Sequence, residues 1–127
     1  MTEKPQKSSR RAIWDQWELT ALRYLQEKWY RIIETNYTIV WWEIDIIAKE
    51  SDIWIFVEVR YRYDESHGHP LDTFSPTKRR AMKRAVLYYI MKNSISPEEV
   101  RIDFIGLMPK KDGTTGHRLW HIKWVEV

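Results

Sequence analysis

Trp42-Glu43-Ile44-Asp45-Ile46-Ile47-Ala48, then a polar break at Lys49-Glu50-Ser51-Asp52, then Ile53-Trp54-Ile55-Phe56-Val57-Glu58-Val59-Arg60: this stretch decides the reading of the chain. Both runs are rich in β-branched and aromatic residues, and the break between them is polar enough to turn without glycine. They therefore read as neighbouring strands of a hairpin. Side chains alternate along a strand, so Glu43 shares a face with Asp45, and Glu58 with Arg60. Pairing that turns those faces to one side gathers three carboxylates beside one guanidinium. Such acids repel one another, which raises their pKa values unless a cation neutralises them. A hard divalent ion, Mg²⁺ or Mn²⁺, held by a few carboxylates and keeping several waters, is the simplest neutraliser.

Outward from this hairpin the pattern alternates between helix and strand. Residues 1–11 are polar and basic without periodicity and read as a flexible arm, with Ser8 or Ser9 able to cap the helix that follows. From Ala12 to about Lys28 the residues Trp14, Trp17, Ala21, Leu22 and Leu25 recur at helical spacing. Glu18 lies inside that apolar stripe, where a carboxylate needs a partner. Tyr30 to Thr38, Ile39 to Ala48 and Ile53 to Tyr63 read as strands, the last apolar enough to be central. Asp64 to Ser75 is a loop. Ser75-Pro76 opens a helix to about Asn93, with Ser75 as N-cap and Met82, Ala85, Val86, Tyr89 and Ile90 as its buried stripe. Val100 to Met108 and Leu119 to Val127 complete the set as strands, the last an edge.

Length and composition bound the answer. A chain of 127 residues is expected to form one domain, here residues 12–127 behind the arm. The absence of cysteine excludes disulfides, thiol catalysis and Cys-ligated zinc, and suits a reducing compartment. No apolar run reaches the roughly 18 residues that cross a bilayer, and the start of the chain has no apolar signal-peptide centre. The expectation is a soluble, cytoplasmic protein without a membrane partner. The net charge of +3 comes entirely from Lys4, Lys7, Arg10 and Arg11 against Glu3, so nucleic acid is indicated by local charge rather than the total.

Asp45, twelve residues, then Glu58-Val59-Arg60 resembles the metal site of the PD-(D/E)xK nucleases, an Asp on one strand and Glu-x-Lys on the next. Within that superfamily the chain resembles the YraN family, small bacterial proteins of restriction-endonuclease-like fold that are similar to Holliday-junction resolvases. The resemblance covers roughly residues 13–108. Its residues are Glu18-Leu19-Thr20-Ala21-Leu22-Arg23-Tyr24-Leu25, Ile33-Glu34-Thr35-Asn36, Glu43-Ile44-Asp45, Phe56-Val57-Glu58-Val59, Gly68-His69-Pro70, Lys78 and Arg101-Ile102-Asp103. It implies an α/β fold, a mixed sheet of four or five strands flanked by helices. It further implies a metal-dependent endonuclease acting on branched or structured DNA. In that reading Asp45, Glu58 and the Val59 carbonyl bind the ion, and Glu18 and Glu43 complete or orient the shell. Two departures stand out: Arg60 replaces the family's Lys, and Trp17, Trp29 and Trp42 occupy positions where the family favours Gly. A Trp at 42 either narrows the approach to the metal or marks a backbone that does not need Gly.

Lys78, Arg79, Arg80, Lys83 and Arg84 put basic charge on the first half of a helix near its N-terminus, an arrangement suited to phosphates, though a solvated face has the same composition. His67-Gly68-His69 with His117 and His121 is a weak zinc signal, better read as structural. Tyr61 and Tyr63 interleave with Arg60 and Arg62, a pattern able to stack bases and hold phosphates. A catalytically silent nucleic-acid-binding module on the same scaffold, and an adaptor docking through exposed Trp residues, are the competing readings. A homodimer would suit a two-strand cut.

Overall fold

The computed structural model describes residues 11–64, 66 and 68–124, and of residues 11–15 the backbone alone. The expected arm and its serine caps lie outside this range except for Arg11, which already belongs to the first helix. The chain order is α1 (Arg11–Glu27), β1 (Arg31–Ile39), β2 (Trp42–Glu50), β3 (Ile53–Tyr61), α2 (Pro76–Lys92), β4 (Val100–Pro109) and β5 (His117–Trp124). The strands lie in one sheet in sequence order. All neighbours are antiparallel except β3 and β4, which run parallel and are joined through α2.

The apolar stripes explain how the helices sit. Ala21 and Leu25 of α1 pack on Ile46, Ala48, Ile55, Val57, Val59, Ile105 and Leu107. Met82, Ala85, Val86, Tyr89 and Ile90 of α2 pack on Ile44, Ile47, Phe56, Ile102 and Phe104. Each helix therefore covers one face of a mixed five-stranded sheet, an α/β architecture consistent with the restriction-endonuclease-like arrangement. Strand β3 is buried from Ile55 to Arg60 because it is paired on both edges and covered on both faces.

Caps and turns follow local chemistry, with one exception. Ser75 caps α2 by accepting from the Lys78 amide at 3.3 Å, and Pro76 takes the first helical position. The β1–β2 connection is a two-residue turn through Val40 and Trp41, so β2 begins at Trp42 rather than at Ile39. Nothing in Ile39-Val40-Trp41 resembles a turn sequence, which is why that boundary is illegible. The exception is the end of α1. Tyr30 N–H donates to Leu25 O and Trp29 N–H to Gln26 O, both at 3.0 Å, the pairing of a Schellman cap. The left-handed position of that cap is Trp29, with φ +71° and 90% exposure. Glycine would hold this conformation without strain; an L side chain costs roughly 1–2 kcal/mol there.

Candidate functional site

The central feature is a slip in β2. Ile44 and Ile47, three residues apart, pack into the same cluster under α2, whereas Ile46 packs under α1. Strict alternation forbids that, so the strand loses step once, at Asp45. Opposite, Thr35 pairs with Ile46 and Tyr37 with Ile44, which sets Asn36 against Asp45, and Asn36 adopts φ +55°. Both strands slip together and the register survives. The expectation that Glu43 and Asp45 share a face fails for this reason.

Asp45 is turned into the ladder instead. The β2–β3 pairing runs from Glu50 opposite Ile53 to Ile46 opposite Val57. Beyond it, the Val59 N–H donates to Asp45 Oδ2 at 2.7 Å, a carboxylate standing where a backbone carbonyl would be. The N–H and C=O of one strand residue leave on the same side, so the Val59 carbonyl opens on the same gap. Glu58 follows on β3 and is, like Asp45, fully buried. Arg60, 8% exposed, places its Nε 2.7 Å from Glu58 Oε2. That contact satisfies the distance of an ion pair without the alignment of a hydrogen bond. Among the described residues, Arg60 Nε and Nη2 and Arg62 Nε are buried and find no acceptor. Glu18, on the α1 side and 2% exposed, accepts from Asn36 Nδ2 at a long 3.5 Å.

The site residues read from the sequence thus fall into groups. Asp45, Glu58, Val59 and Arg60 come together where β2 and β3 part. Glu18 reaches the same region through Asn36, while Glu43 is half-buried on the far side of the slip, opposite Thr38. The basic residues of α2 do not form one exposed patch. Arg79 donates from Nε to Phe74 O at 2.8 Å and lies over the Phe74 and Trp124 rings. Arg80 and Arg84 are exposed, Arg84 over Trp41, and Lys78 and Lys83 are half-buried. Sequence reasoning gave no role to Asn36 and gave Arg62 only a place in the aromatic–basic interleave. An Asn in the middle of a strand, with its tolerance of left-handed backbone, was the available signal for the first. A basic residue two after Arg60 was the signal for the second.

Neighbouring polar residues are committed elsewhere. His69 Nδ1 accepts from Leu71 N–H and so caps the short 3-10 turn Pro70–Thr73; His117 pairs with the Thr20 hydroxyl and His121 with Asp103. His67 lies outside the described residues. Burial holds the His117 imidazole below its ordinary pKa, and desolvation followed by Tyr63 pushes the Tyr61 phenol up, keeping both neutral near pH 7. Trp42 donates from Nε1 to Met82 Sδ at 3.2 Å, which commits its ring to α2. Trp17 stacks on Tyr61, centroids 5.7 Å apart.

As a donor set, Asp45 and Glu58 suit a hard divalent cation: two buried carboxylates on adjacent strands, with a backbone carbonyl on the same gap. Among the described residues no three of His, Asp or Glu converge as a ready cage. Two carboxylates suffice for Mg²⁺, which retains waters and takes further ligands from a substrate phosphate. Arg60 must release Glu58 for both acids to serve.

The chain is similar over most of its length to proteins of the same kind. A family model described as "Uncharacterised protein family UPF0102" matches residues 17–107. A UPF0102 protein of Carboxydothermus hydrogenoformans is 39% identical over 102 residues, covering 80% of this chain and 86% of that protein. One from Clostridioides difficile is 41% identical over 88 residues, covering 69% and 77%. One from Syntrophus aciditrophicus is 34% identical over 96 residues, covering 76% of each. On that match across both helices and the first four strands, the chain belongs to the UPF0102 family, the YraN family whose motifs its sequence carries.

Proposed function

We propose that the protein is a metal-dependent endonuclease, or one derived from such an enzyme, acting on branched or otherwise structured DNA. The observation that carries the reading is the junction of β2 and β3, where two fully buried carboxylates lie beside Arg60, whose Nη2 is buried without an acceptor among the described residues. Asp45 and Glu58 would hold Mg²⁺ or Mn²⁺, with the Val59 carbonyl as a further ligand. When bound, such an ion polarises a phosphate and lowers the pKa of a bound water. The Val59 N–H fixes the rotamer of Asp45, and Asn36 orients Glu18 toward the same end of the sheet. Arg60 Nη2 and Arg62 Nε, buried and without an acceptor among the described residues, receive the phosphate, and Arg60 Nε joins them once it leaves Glu58. Arg60, with a pKa above ~12, stabilises charge and shuttles no proton. Arg80 and Arg84, one turn apart on α2, supply exposed charge for a flanking phosphate.

One specific contact supports a second reading. Arg60 Nε lies 2.7 Å from Glu58, so the guanidinium competes with a cation for that carboxylate. A chain in which it always wins is a nucleic-acid-binding module without turnover. Incubation of a branched DNA with Mg²⁺ or Mn²⁺ separates the two. The enzyme reading expects nicks that fall at least ~10²-fold in Asp45→Asn, and that rise in Arg60→Lys but not in Arg60→Ala. Salt-sensitive binding with no nicks from wild type or Arg60→Lys would leave the binding module as the description.

A further inference from the structure

The end of β3 carries a second arrangement beside the carboxylates. Within β3 Arg60 and Tyr61 leave opposite faces; past the strand's end at Tyr61, Arg62 and Tyr63 line one cleft together with Tyr61. Tyr61 is the middle of an aromatic series. It stacks on Trp17 of α1 with planes 14° apart, meets His117 edge-on at 5.6 Å, and meets Tyr63 edge-on at 5.3 Å. The series begins in the protein and ends in solvent, because Tyr63 is 79% exposed. Tyr61, Arg62, Tyr63 and Asp64 line an open cleft of about 360 Å³ at this end. The Asp64 carboxylate accepts from the backbone N–H and hydroxyl of Ser66.

Two features of the cleft point to the chemistry of its ligand. A large aromatic ring turned outward, its edge contact with Tyr61 leaving a face open, offers a flat apolar surface with few rotamers to lose. Beside it, Arg62 Nε is buried without an acceptor among the described residues, as is Nη2 of Arg60 two residues back on β3. A buried donor left without an acceptor is costly, so an anion that reaches it gains more than one bound at the surface. The ligand that is flat on one side and anionic on the other is a nucleotide. A base inside a duplex has both π-faces covered, so only an unpaired base can use the ring.

We propose that the cleft is a subsite for an unpaired nucleotide next to the phosphate held by Arg60 and Arg62, with Tyr63 stacking on its base and Arg62 binding its phosphate. The preferred substrate class is then DNA with a displaced or single-stranded nucleotide at the site rather than continuous duplex. This rests on the nucleic-acid reading above and names the substrate feature that the same site selects. Tyr61 is a positioning residue: it holds Tyr63 outward and is itself held by Trp17 and His117.

The test uses two DNAs of the same sequence, one a continuous duplex and one with a single unpaired 2-aminopurine at a flap. Binding is measured on the full-length protein in Ca²⁺, an oxygen-binding cation of loose geometry. Wild type is expected to bind the flapped DNA about tenfold more tightly and to quench the 2-aminopurine. Tyr63→Leu should lose most of that margin and the quenching while keeping its duplex affinity, and Tyr63→Phe should retain both. Salt-dependent binding of both DNAs with equal affinity and no quenching would overturn the subsite and leave the nuclease reading standing. A Tyr63→Leu variant indistinguishable from wild type would also overturn it. If wild type binds neither DNA, the subsite falls together with the reading on which it rests.

Discussion

Among the described residues the protein buries two clusters of acids and bases, and they are built differently. Around Asp103 on β4 every charge is answered. Arg101 grips the carboxylate with Nε at 2.7 Å and Nη2 at 3.0 Å, and also donates from Nη2 to the Tyr30 hydroxyl at 2.7 Å. His121 Nε2 sits 2.6 Å from Asp103 Oδ2, the oxygen that also accepts from Arg101 Nη2, and the Tyr24 hydroxyl meets its Nδ1 at 2.9 Å. The cluster thereby ties α1, the turn before β1, β4 and β5 together. At the β2–β3 junction Asp45 and Glu58 are buried as deeply, yet Arg60, and Arg62 just past the end of β3, keep buried donors without acceptors among the described residues. A fully satisfied buried network specifies a fold; an incompletely satisfied one costs stability and calls for an explanation, which the proposed ligand would supply. The environment of the tyrosines agrees. Burial pushes Tyr30 up to about 12, with Asp103 adding to and Arg101 opposing the rise, so it remains a neutral hydrogen-bonding post.

The largest effects should come from breaking the closed cluster. Asp103→Ala strands Arg101 and His121 and is expected to cost about 3–5 kcal/mol, as removal of one partner from a buried pair does. The matching change at the junction is the double variant Glu58→Leu with Arg60→Met, which removes a poorly aligned pair without leaving a charge behind. Its stability should stay within about 1 kcal/mol of wild type or rise. Urea unfolding of both variants reads the contrast directly. Equal losses in the two would show that the junction is as structural as Asp103.

Trp29 sharpens the comparison at intermediate size. It is the left-handed residue of the turn that delivers Tyr30 to Arg101, so its strain is borne by the closed cluster. Trp29→Gly should raise stability by about 1 kcal/mol, since the side chain is exposed and only the backbone changes. The smallest effect concerns pH. His117 supports Tyr61 from behind, and its pKa is lowered by burial. The unfolded chain therefore takes up that proton first. Stability contributed by neutral His117 is complete above its unfolded pKa near 6.5 and declines as pH falls below it. A melting-temperature series from pH 8 to pH 5 should fall less steeply in His117→Asn than in wild type.

Much of this was legible in the sequence, and what was not has a physical cause. The central strand from Ile53, read to Tyr63 and ending at Tyr61, the Ser75-Pro76 helix start and the two apolar helix stripes were readable because period and capping chemistry are local. Family membership was readable because an ordered series of short motifs survives substitution. The β1–β2 turn was not, because Val40 and Trp41 have none of the residues that mark turns. The facing of Glu43 was not, because alternation was assumed through Asp45, and a slip shared by two strands leaves no mark on either period. The fixed position of Arg79 was not, because its acceptor is the Phe74 carbonyl, which composition cannot show. The meaning of Trp29 in place of glycine emerged only with its φ; Trp17 and Trp42 adopt no such conformation and are held by Tyr61 and Met82.

The central claim is that the incompletely satisfied junction is where a cation and a phosphate meet. Crystals soaked in Mn²⁺ and measured for its anomalous scattering test it most directly. The expected result is one peak bonded to carboxylate oxygens of both Asp45 and Glu58, with Arg60 swung away from Glu58. Its absence from that gap, with Arg60 still against Glu58 at millimolar Mn²⁺, would contradict the account.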